Sequence, residues 1–306
     1  MRVSPNAAPS IVVVGSLNRD LVVTTPSLPL PGETVHGTSY TQHNGGKGAN
    51  QAVALARLGQ RVSMVGCVGD DEDGTALVSA LASDGVDVAS VSRSASRTGI
   101  AIITVDNHGE NSIVVVAGAN GDLDNAAIDA ASPIISSADV VLAQLEVPNS
   151  TVERAFGHAT GTIVLNPAPG SRLDAGLLDS VNYLVPNRTE LATMSDSEIP
   201  DNDGQILASI STLSFDGVVV VTLGSDGAIA AQDGAIIARA VPPRVDVVDT
   251  VGAGDAFCAG FCDALARGIT LQGAITWATA CGALATTKPG AQPSMPTTAA
   301  VEALIR

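Results

Sequence analysis

The sequence predicts an α/β fold of three layers, in which a mainly parallel central sheet lies between helices and a small β-sheet stands beside it. Short runs of β-branched residues alternate with segments of helical periodicity, which is the pattern of parallel βα units. Two longer stretches break the alternation and look like strands separated by turns. The 306 residues show no fixed-period repeat and no break in composition, so we expect one domain over residues 1–306.

The clearest strand predictions are short apolar runs without charged side chains. They lie at Ile11 to Gly15, Val62 to Val65, Val140 to Ala143, Thr162 to Leu165, Tyr183 to Val185 and Val218 to Thr222. Helical periodicity predicts helices at Ala49 to Leu58, Gly74 to Ser83, Thr151 to His158, Gln205 to Leu213, Asp255 to Ala266 and Leu271 to Thr286.

The two irregular stretches, residues 18–44 and 98–116, predict the small sheet. Their strand signals run from Leu21 to Asn44 and from Thr98 to Val116, with a hairpin turn at Asp106 to Glu110. A sheet that stands off the main one in this way would cover a cleft.

Composition excludes several classes of function. Fifteen Lys and Arg against 31 Asp and Glu give a net charge of −16, which disfavours a nucleic-acid binder, and 2% aromatic residues disfavour base stacking. Four cysteines without a CxxC pair fit a reducing compartment. Met1 to Ser10 carries no export signal, and the apolar runs are too short to span a membrane. We therefore expect a cytoplasmic protein that binds neither nucleic acid nor membrane.

The strongest local motif runs from Asp249 to Phe257 and leads into an Ala-rich helix. Small residues at Gly252, Ala253 and Gly254 let backbone N–H groups converge at a helix N-terminus, where an anion is favoured. Asp255 follows and could take a proton from an attacking hydroxyl, or it could simply cap the helix. The Walker A loop is missing from the sequence. The GxGxxG fingerprint is also missing, which disfavours a hydride-transfer enzyme.

Polar residues near other glycines and strand ends form a second group of candidates. Asn50, after Gly45, Gly46 and Lys47, offers a donor and an acceptor suited to sugar hydroxyls, or it points into solvent from an ordinary turn. Asn18 and Asp20 share a face if the chain stays extended, with an Asx turn as the alternative. Glu146 lies at the carboxyl end of a predicted strand, where open α/β sheets bind ligands.

Two further motifs suggest a nucleotide. Asn187 and Glu190 are three residues apart at a helix start, which suits a water-clad Mg²⁺, although a capping box explains the same spacing without a metal and is favoured when the motif is taken alone. The segment Thr222 to Gly227 joins two strands and either contacts a nucleotide or forms a plain hairpin.

These motifs together resemble the ribokinase/PfkB family of carbohydrate kinases. The resemblance rests on residues 45–52 (GGKGANQA) and 249–260 (DTVGAGDAFCAG), with supporting segments in the family's order from about residue 11 to residue 296. It implies a ribokinase-like fold with the small sheet as a lid. It further implies transfer of the γ-phosphoryl group of ATP to the 5-hydroxyl of D-ribose.

The resemblance also implies a role for each matching residue. Asp255 would be the catalytic base, with the backbone of Gly252, Ala253 and Gly254 as the anion hole. The sugar would be held by Asn18, Asp20, Gly45, Gly46, Lys47, Asn50, Glu146 and Asp255. The ATP site would comprise Asn187, Thr222, Leu223, Gly224, Ser225, Asp226, Gly227, Gly254 and Thr279.

Two cations and a dimer follow from the same resemblance. Mg²⁺ would accompany ATP, with Glu190 acting through water, and a monovalent cation, K⁺, would bind at Asp249, Val251, Ala285, Lys288, Gly290 and Ser294. Pro289 departs from the family's usual residue, which affects the geometry of that loop. Family members commonly form homodimers through the lid. The alternatives are a kinase for another small sugar or a nucleoside, and a non-catalytic sugar or nucleotide sensor.

Overall fold

The computed structural model describes residues 10–306. Residues 1–9, on which the expectation of no export signal mainly rests, lie outside the described part of the chain. The fold is a nine-stranded central sheet with helices on both faces, together with a separate four-stranded sheet. The predicted fold class is confirmed.

The central sheet has the strand order β13-β12-β11-β10-β9-β8-β1-β4-β5. Its strands are β1 (Ser10–Val14), β4 (Arg61–Gly69), β5 (Asp87–Ser94), β8 (Val140–Ala143), β9 (Thr162–Leu165), β10 (Tyr183–Leu184), β11 (Val218–Thr222), β12 (Ala228–Gln232) and β13 (Ala235–Ala240). Pairing is parallel from β5 to β11, whereas β12 and β13 extend the sheet in antiparallel fashion.

The small sheet has the order β3-β2-β6-β7. It comprises β2 (Asn18–Thr24), β3 (Ser39–Gly45), β6 (Gly99–Val105) and β7 (Asn111–Val116). The β6–β7 hairpin closes at the predicted turn, where the Asp106 N–H donates to the Glu110 carbonyl at 3.0 Å. Both irregular stretches therefore contribute to one sheet, as predicted.

Twelve helices are found in residues 10–306. They are α1 (Lys47–Arg57), α2 (Glu72–Ser83), α3 (Asn125–Ala130), α4 (Ser132–Ser137), α5 (Asn149–His158), α6 (Ala175–Leu178), α7 (Arg188–Ser195), α8 (Asp203–Ser211), α9 (Ala253–Ala266), α10 (Leu271–Ala285), α11 (Ala291–Ser294) and α12 (Thr298–Ile305). None of these helices, which cover only the described residues, has the length and apolar character needed to cross a membrane.

The core forms two layers because side chains of a buried strand alternate between the sheet's faces. In β1, Ile11 and Val13 pack on the face covered by α1, α2, α9 and α10, whereas Val12 and Val14 pack on the face covered by α3 to α8. The sheet is buried on both faces at its centre, which is why its central strands are continuous apolar runs.

All six predicted strands and all six predicted helices are present, with boundaries that differ by a few residues. Two strands of the central sheet, β5 and β13, were not predicted, and β12 was expected only as the strand that follows the Thr222 to Gly227 segment. β5 contains three Ser and is only partly buried, whereas β12 and β13 are rich in Ala, which has low β-propensity. β5 and β13 lie at the two edges of the sheet, and β12 lies next to β13.

Candidate active site

The candidate residues gather at one edge of the central sheet, at the carboxyl ends of the parallel strands. From one side to the other, the residues at or just after these ends are Thr222 (β11), Asn187 (β10), Asn166 (β9), Glu146 (β8) and Ser16 (β1). This edge is where open α/β sheets bind ligands. The strand order places the predicted nucleotide residues over β10 and β11 and the predicted sugar residues over β8 and β1.

Asp255 lies between these two groups, in the first turn of α9. The helix begins after Gly252, which has a φ of 79°, and a Cβ there would lie 2.9 Å from Ala291 Cα, so only glycine fits. Asp255 does not cap α9: its Oδ2 accepts from Asn50 Nδ2 at 2.9 Å and its Oδ1 from Gln51 Nε2 at 3.0 Å. The capping interpretation is therefore wrong.

Asn50 reaches Asp255 from the first turns of α1. Gly46 precedes this helix with a φ of 88°, and a Cβ there would lie 2.7 Å from the backbone nitrogen of Asn18. Asn50 is only 6% exposed, so the solvent-facing alternative is also wrong. Its Oδ1 is buried and accepts no hydrogen bond. A buried acceptor without a partner costs about 1 to 3 kcal/mol, which a hydroxyl of a bound ligand would recover.

Four acidic side chains and one lysine set the electrostatics of the site. Burial, aided by Glu146 and Asp255, raises the pKa of Asp20 to about 7, although Arg19 and Lys47 oppose this. Burial also raises the pKa values of Asp255 and Glu190. The pKa of Lys47 is raised, because Asp255, Glu146 and Glu190 together outweigh its burial, which acts to lower it. Lys47 therefore stays charged among these carboxylates.

The sugar side of the site is held by hydrogen bonds from the strand ends. Glu146 Oε2 accepts from Ser16 Oγ at 2.5 Å and from the Lys47 N–H at 3.1 Å. Asn18 lies in the extended strand β2 and is 3% exposed, so the Asx-turn alternative is wrong. Its Oδ1 accepts from Asn120 Nδ2 at 2.7 Å, so its Nδ2 remains as the donor to a ligand.

On the nucleotide side, Asn187 and Glu190 form the predicted capping box. Asn187 Oδ1 accepts from the Glu190 N–H at 2.7 Å, and Glu190 Oε2 accepts from the Asn187 N–H at 2.8 Å. The cap is therefore present. It leaves Glu190 Oε1 available to a water-clad cation.

Asn187 forms a β-bridge with Thr222, which brings the two nucleotide motifs together. Gly224–Asp226 form a 3₁₀ turn between β11 and β12, so this segment does connect antiparallel strands. Gly224 and Ser225 are exposed, Leu223 is buried, and Asp226 pairs with Arg188 at 3.2 Å. Thr279 is 5% exposed and its hydroxyl donates to the Ile275 carbonyl at 2.6 Å.

The predicted anion hole lies at the start of α9. Backbone N–H groups in the first turn of a helix have no carbonyl partner within the helix and attract negative charge. Here the Ala253 N–H donates to the Thr250 carbonyl at 3.2 Å. Gly252 and Gly254 are therefore the stronger candidates for contact with an anion.

A cavity of about 230 Å³ connects Asp255 with the nucleotide motifs. It is lined by Lys47, Asn166, Ala168, Val185, Asn187, Glu190, Thr222, Gly252, Gly254, Asp255 and Cys258. A larger depression of about 950 Å³ lies at the opposite ends of the strands, among residues such as Asp139, Asn182 and Asp216. No predicted site residue lines that depression, so we assign the site to the smaller cavity.

The segments predicted to hold the monovalent cation are adjacent. Asp249 Oδ2 accepts from the Gly290 N–H at 2.7 Å and its Oδ1 from the Val251 N–H at 3.0 Å. The N–H groups of Val248 and Asp249 donate to the Thr286 carbonyl. Ser294, which follows Gly290 in the chain, is buried. Backbone carbonyls and one carboxylate suit K⁺, and Pro289 does not prevent the two loops from meeting.

Three buried amides near the site received no predicted role: Gln51, Gln144 and Asn166. They form a hydrogen-bonded chain that ends on Asp255. The available signal was a polar residue at the end of an apolar strand, as in residues 140–144 (VVLAQ) and 162–166 (TIVLN). Among residues 10–306, no group of three or more His, Cys, Asp or Glu side chains is arranged to hold a metal ion.

Comparisons with known proteins identify the family of the chain. The model of the pfkB family of carbohydrate kinases matches residues 8–298. Ribokinase of Schizosaccharomyces pombe is 40% identical over 301 residues, covering 94% of this chain and 95% of that protein. Ribokinase of Bacillus subtilis is 39% identical over 303 residues, with 97% and 99% covered. The structure of Arabidopsis thaliana ribokinase complexed with ribose and ATP superposes with a TM-score of 0.89 at 32% identity, covering 98% and 99%.

Proposed function

Because the chain belongs to the pfkB family of carbohydrate kinases, we propose that it transfers the γ-phosphoryl group of ATP to the 5-hydroxyl of D-ribose. The products are D-ribose 5-phosphate and ADP. The observation that carries the proposal is the placement of Asp255. Its carboxylate is buried, bonded to two amides, and located between the sugar and nucleotide residues.

In this mechanism the sugar binds against β1, β2, β8 and α1. Asn50 Oδ1 accepts from a sugar hydroxyl, which satisfies its unpartnered atom, and Asn18 Nδ2 donates to another. Asp20 and Glu146 accept hydrogen bonds from further hydroxyls, with Gly45, Gly46 and Lys47 forming the adjoining wall. A site with this many buried polar groups favours a polyol, because an apolar analogue would leave those groups unpaired.

Asp255 acts as the general base. As the 5-hydroxyl oxygen forms its bond to the γ-phosphorus, Asp255 takes the hydroxyl proton, and the bond to the β,γ-bridging oxygen breaks to release ADP. The N–H groups of Gly252 and Gly254, with Ala253 beside them, stabilise the charge that develops on the transferring group. Burial raises the pKa of Asp255, which makes its ionised form a stronger base.

The nucleotide lies along the ends of β10 and β11, with Asn187, Thr222, Gly224, Ser225 and Gly227 as its nearest polar contacts. Leu223 and Asp226 shape this turn from the core and through Arg188, respectively. Thr279 would contact the adenine of ATP. Glu190, whose Oε1 is free of the capping box, would hold water around the Mg²⁺ that accompanies ATP, and that cation would supply positive charge at the phosphates.

K⁺ would be held by the Asp249 carboxylate and the Ser294 hydroxyl, with backbone carbonyls of Val251, Ala285, Lys288 and Gly290. Its contribution is positive charge beside the anion hole, which strengthens the attraction for phosphate oxygens. This supply of local charge explains how an acidic chain would bind ATP.

The small sheet would serve both as a lid over the sugar and as a homodimer contact. Its edge strand β7 exposes Ile113, Val114, Val115 and Val116 by 50% or more. An exposed apolar edge strand of this kind is usually covered by another surface. Sedimentation of the purified protein would show a dimer, and Val114→Lys and Val116→Lys together would give a monomer.

We place this enzyme in the cytoplasm.

The runner-up is a kinase of the same family for another small sugar or a nucleoside. ATP consumption with ribose, 2-deoxyribose, other pentoses, fructose, adenosine and no acceptor separates these options. We expect kcat/KM for ribose to exceed that of every other acceptor by about tenfold or more. Equal or higher kcat/KM for a different acceptor would reassign the substrate, and binding without turnover for all would indicate a sensor.

A further inference from the structure

A chain of three buried amides lies behind Asp255 and has no ligand-binding role in the proposal above. Gln51 and Gln144 have no exposed surface, and Asn166 is 8% exposed. Gln51 Nε2 donates to Asp255 Oδ1 at 3.0 Å and to Asn166 Oδ1 at 3.2 Å. Gln144 Nε2 donates to Gln51 Oε1. Gln51 therefore uses both amide protons and its carbonyl within the protein.

The directions of the Asn166 and Gln51 amides are determined by their partners. Asn166 Nδ2 donates to the backbone carbonyl of Val185 at 2.9 Å, so the Asn166 oxygen faces Gln51. An ionised Asp255 only accepts, so the nitrogen of Gln51 must also face that carboxylate. Two independent constraints thus select the same orientation of Gln51.

This arrangement has a consequence for the base. Asn50 holds the other carboxylate oxygen but also has an unpartnered Oδ1, which the proposal above gives to the sugar. Gln51 has no free donor or acceptor to offer a ligand, because its amide and carbonyl are all engaged by Asp255, Asn166 and Gln144. We propose that Gln51, held by Gln144 and Asn166, is a positioning residue that fixes the Asp255 carboxylate in its proton-accepting orientation. The inference rests on Asp255 acting as the base.

The structure contains a matched control for this interaction. Gln60, 9% exposed, donates through Nε2 to Oδ1 of the fully buried Asp263 at 2.5 Å. That pair has the same chemistry and lies outside the cavity that contains Asp255. A Gln→Met substitution at either position removes one amide donor from a buried carboxylate while keeping the side chain's length.

The test compares kcat, both KM values and the pH dependence of kcat for Gln51→Met, Gln60→Met and the unaltered protein. We expect Gln51→Met to lower kcat by about tenfold to a hundredfold because the base is misplaced, with each KM changed by less than about threefold. The acidic limb of kcat should move up by about one pH unit, because a donor that favours the ionised form is lost. Gln60→Met should lower the melting temperature and leave kcat and its acidic limb unchanged.

The charged and titratable groups that face Asp255 are the same in every variant, so the shift of the limb is attributable to Gln51. They are Lys47, Glu146, Asp20, Glu190 and Cys258. If Gln51→Met fails to fold, Gln144→Met decides the question, since it frees the Gln51 carbonyl without removing a contact to Asp255. A smaller loss of kcat with the same direction of shift supports the proposal.

A folded Gln51→Met with unchanged kcat and pH limb would overturn the inference, as would an unchanged Gln144→Met if the first variant cannot be purified. Asp255→Asn in the same assay separates this from the proposed function. Inactive Asp255→Asn with normal Gln51→Met rejects the positioning role alone. Active Asp255→Asn rejects the base and the inference together.

Discussion

Asp20 provides a stability prediction that follows from the geometry of the site. Its carboxyl lies in β2 beside Glu146 and Asp255, and burial with these two neighbours raises its pKa from 3.8 to about 7. An acid whose pKa is raised by folding is protonated more readily in the folded state than in the unfolded state. It therefore contributes stability that is complete below its unfolded pKa and is lost as the pH rises through its folded pKa.

The magnitude follows from the shift. About three pKa units at 1.36 kcal/mol each give an upper value of about 4 kcal/mol, and residual solvent screening reduces this to about 2 to 4 kcal/mol. The loss begins near pH 4 and is nearly complete at about pH 8, a window set by the two pKa values. Asp20→Asn removes the titration while preserving the shape of the side chain.

The assay is urea unfolding without sugar or nucleotide at about pH 4.5 and about pH 8. The free energy of unfolding of Asp20→Asn minus that of the unaltered protein should increase by about 2 kcal/mol or more between these conditions. Asp201→Asn, at an exposed carboxylate outside the site, controls for the loss of a surface charge. A difference that stays constant with pH would refute the reasoning.

Three further predictions concern the sugar, the anion hole and the monovalent cation. In steady-state assays, Asn50→Ala should raise the KM for ribose by about tenfold and leave the KM for ATP nearly constant. It should also lower kcat, because it removes a donor from Asp255. An effect on the KM for ATP alone would reverse the two halves of the site. Gly252→Ala should lower the free energy of unfolding by about 1 to 3 kcal/mol because Gly252 has a positive φ. Gly254→Ala should leave the free energy of unfolding nearly unchanged, because a Cβ there meets open space. Equal losses in the two variants would contradict the backbone argument. Asp249→Ala should raise the K⁺ concentration that gives half-maximal activity by about tenfold over that of the unaltered protein, with a large organic cation as the balancing salt. An unchanged dependence on K⁺ would place the cation elsewhere.

The fold was predictable where local sequence determines structure. Apolar strands such as Val140–Ala143 stand out because both faces of the sheet are buried, and the Asp106 to Glu110 turn follows from its composition. β13 was missed, and β12 was expected without bounds, because these Ala-rich sequences become strands only through pairing, β12 with β11 and β13 with β12. Tertiary pairing, rather than propensity, determines such edges.

In the candidate site, too, only the features determined by local sequence were predictable. Asp255 and Asn50 could be identified from their motifs, but whether they cap a helix or face solvent depended on a contact between residues 205 positions apart. The amide chain behind Asp255 combines three separate strand and helix ends, and no local pattern links them. The capping box at Asn187 was predictable because all its atoms lie within one helical turn.

The most direct test of the central claim is the turnover of Asp255→Asn with ribose and ATP. Phosphorus NMR of the reaction identifies D-ribose 5-phosphate as the product, and calorimetry measures the binding of each substrate. We predict that the variant binds ribose and ATP within about threefold of the unaltered affinity while kcat falls by about a thousandfold or more, because the proton acceptor is gone. Turnover near that of the unaltered protein, or product phosphorylated at another hydroxyl, would contradict the account.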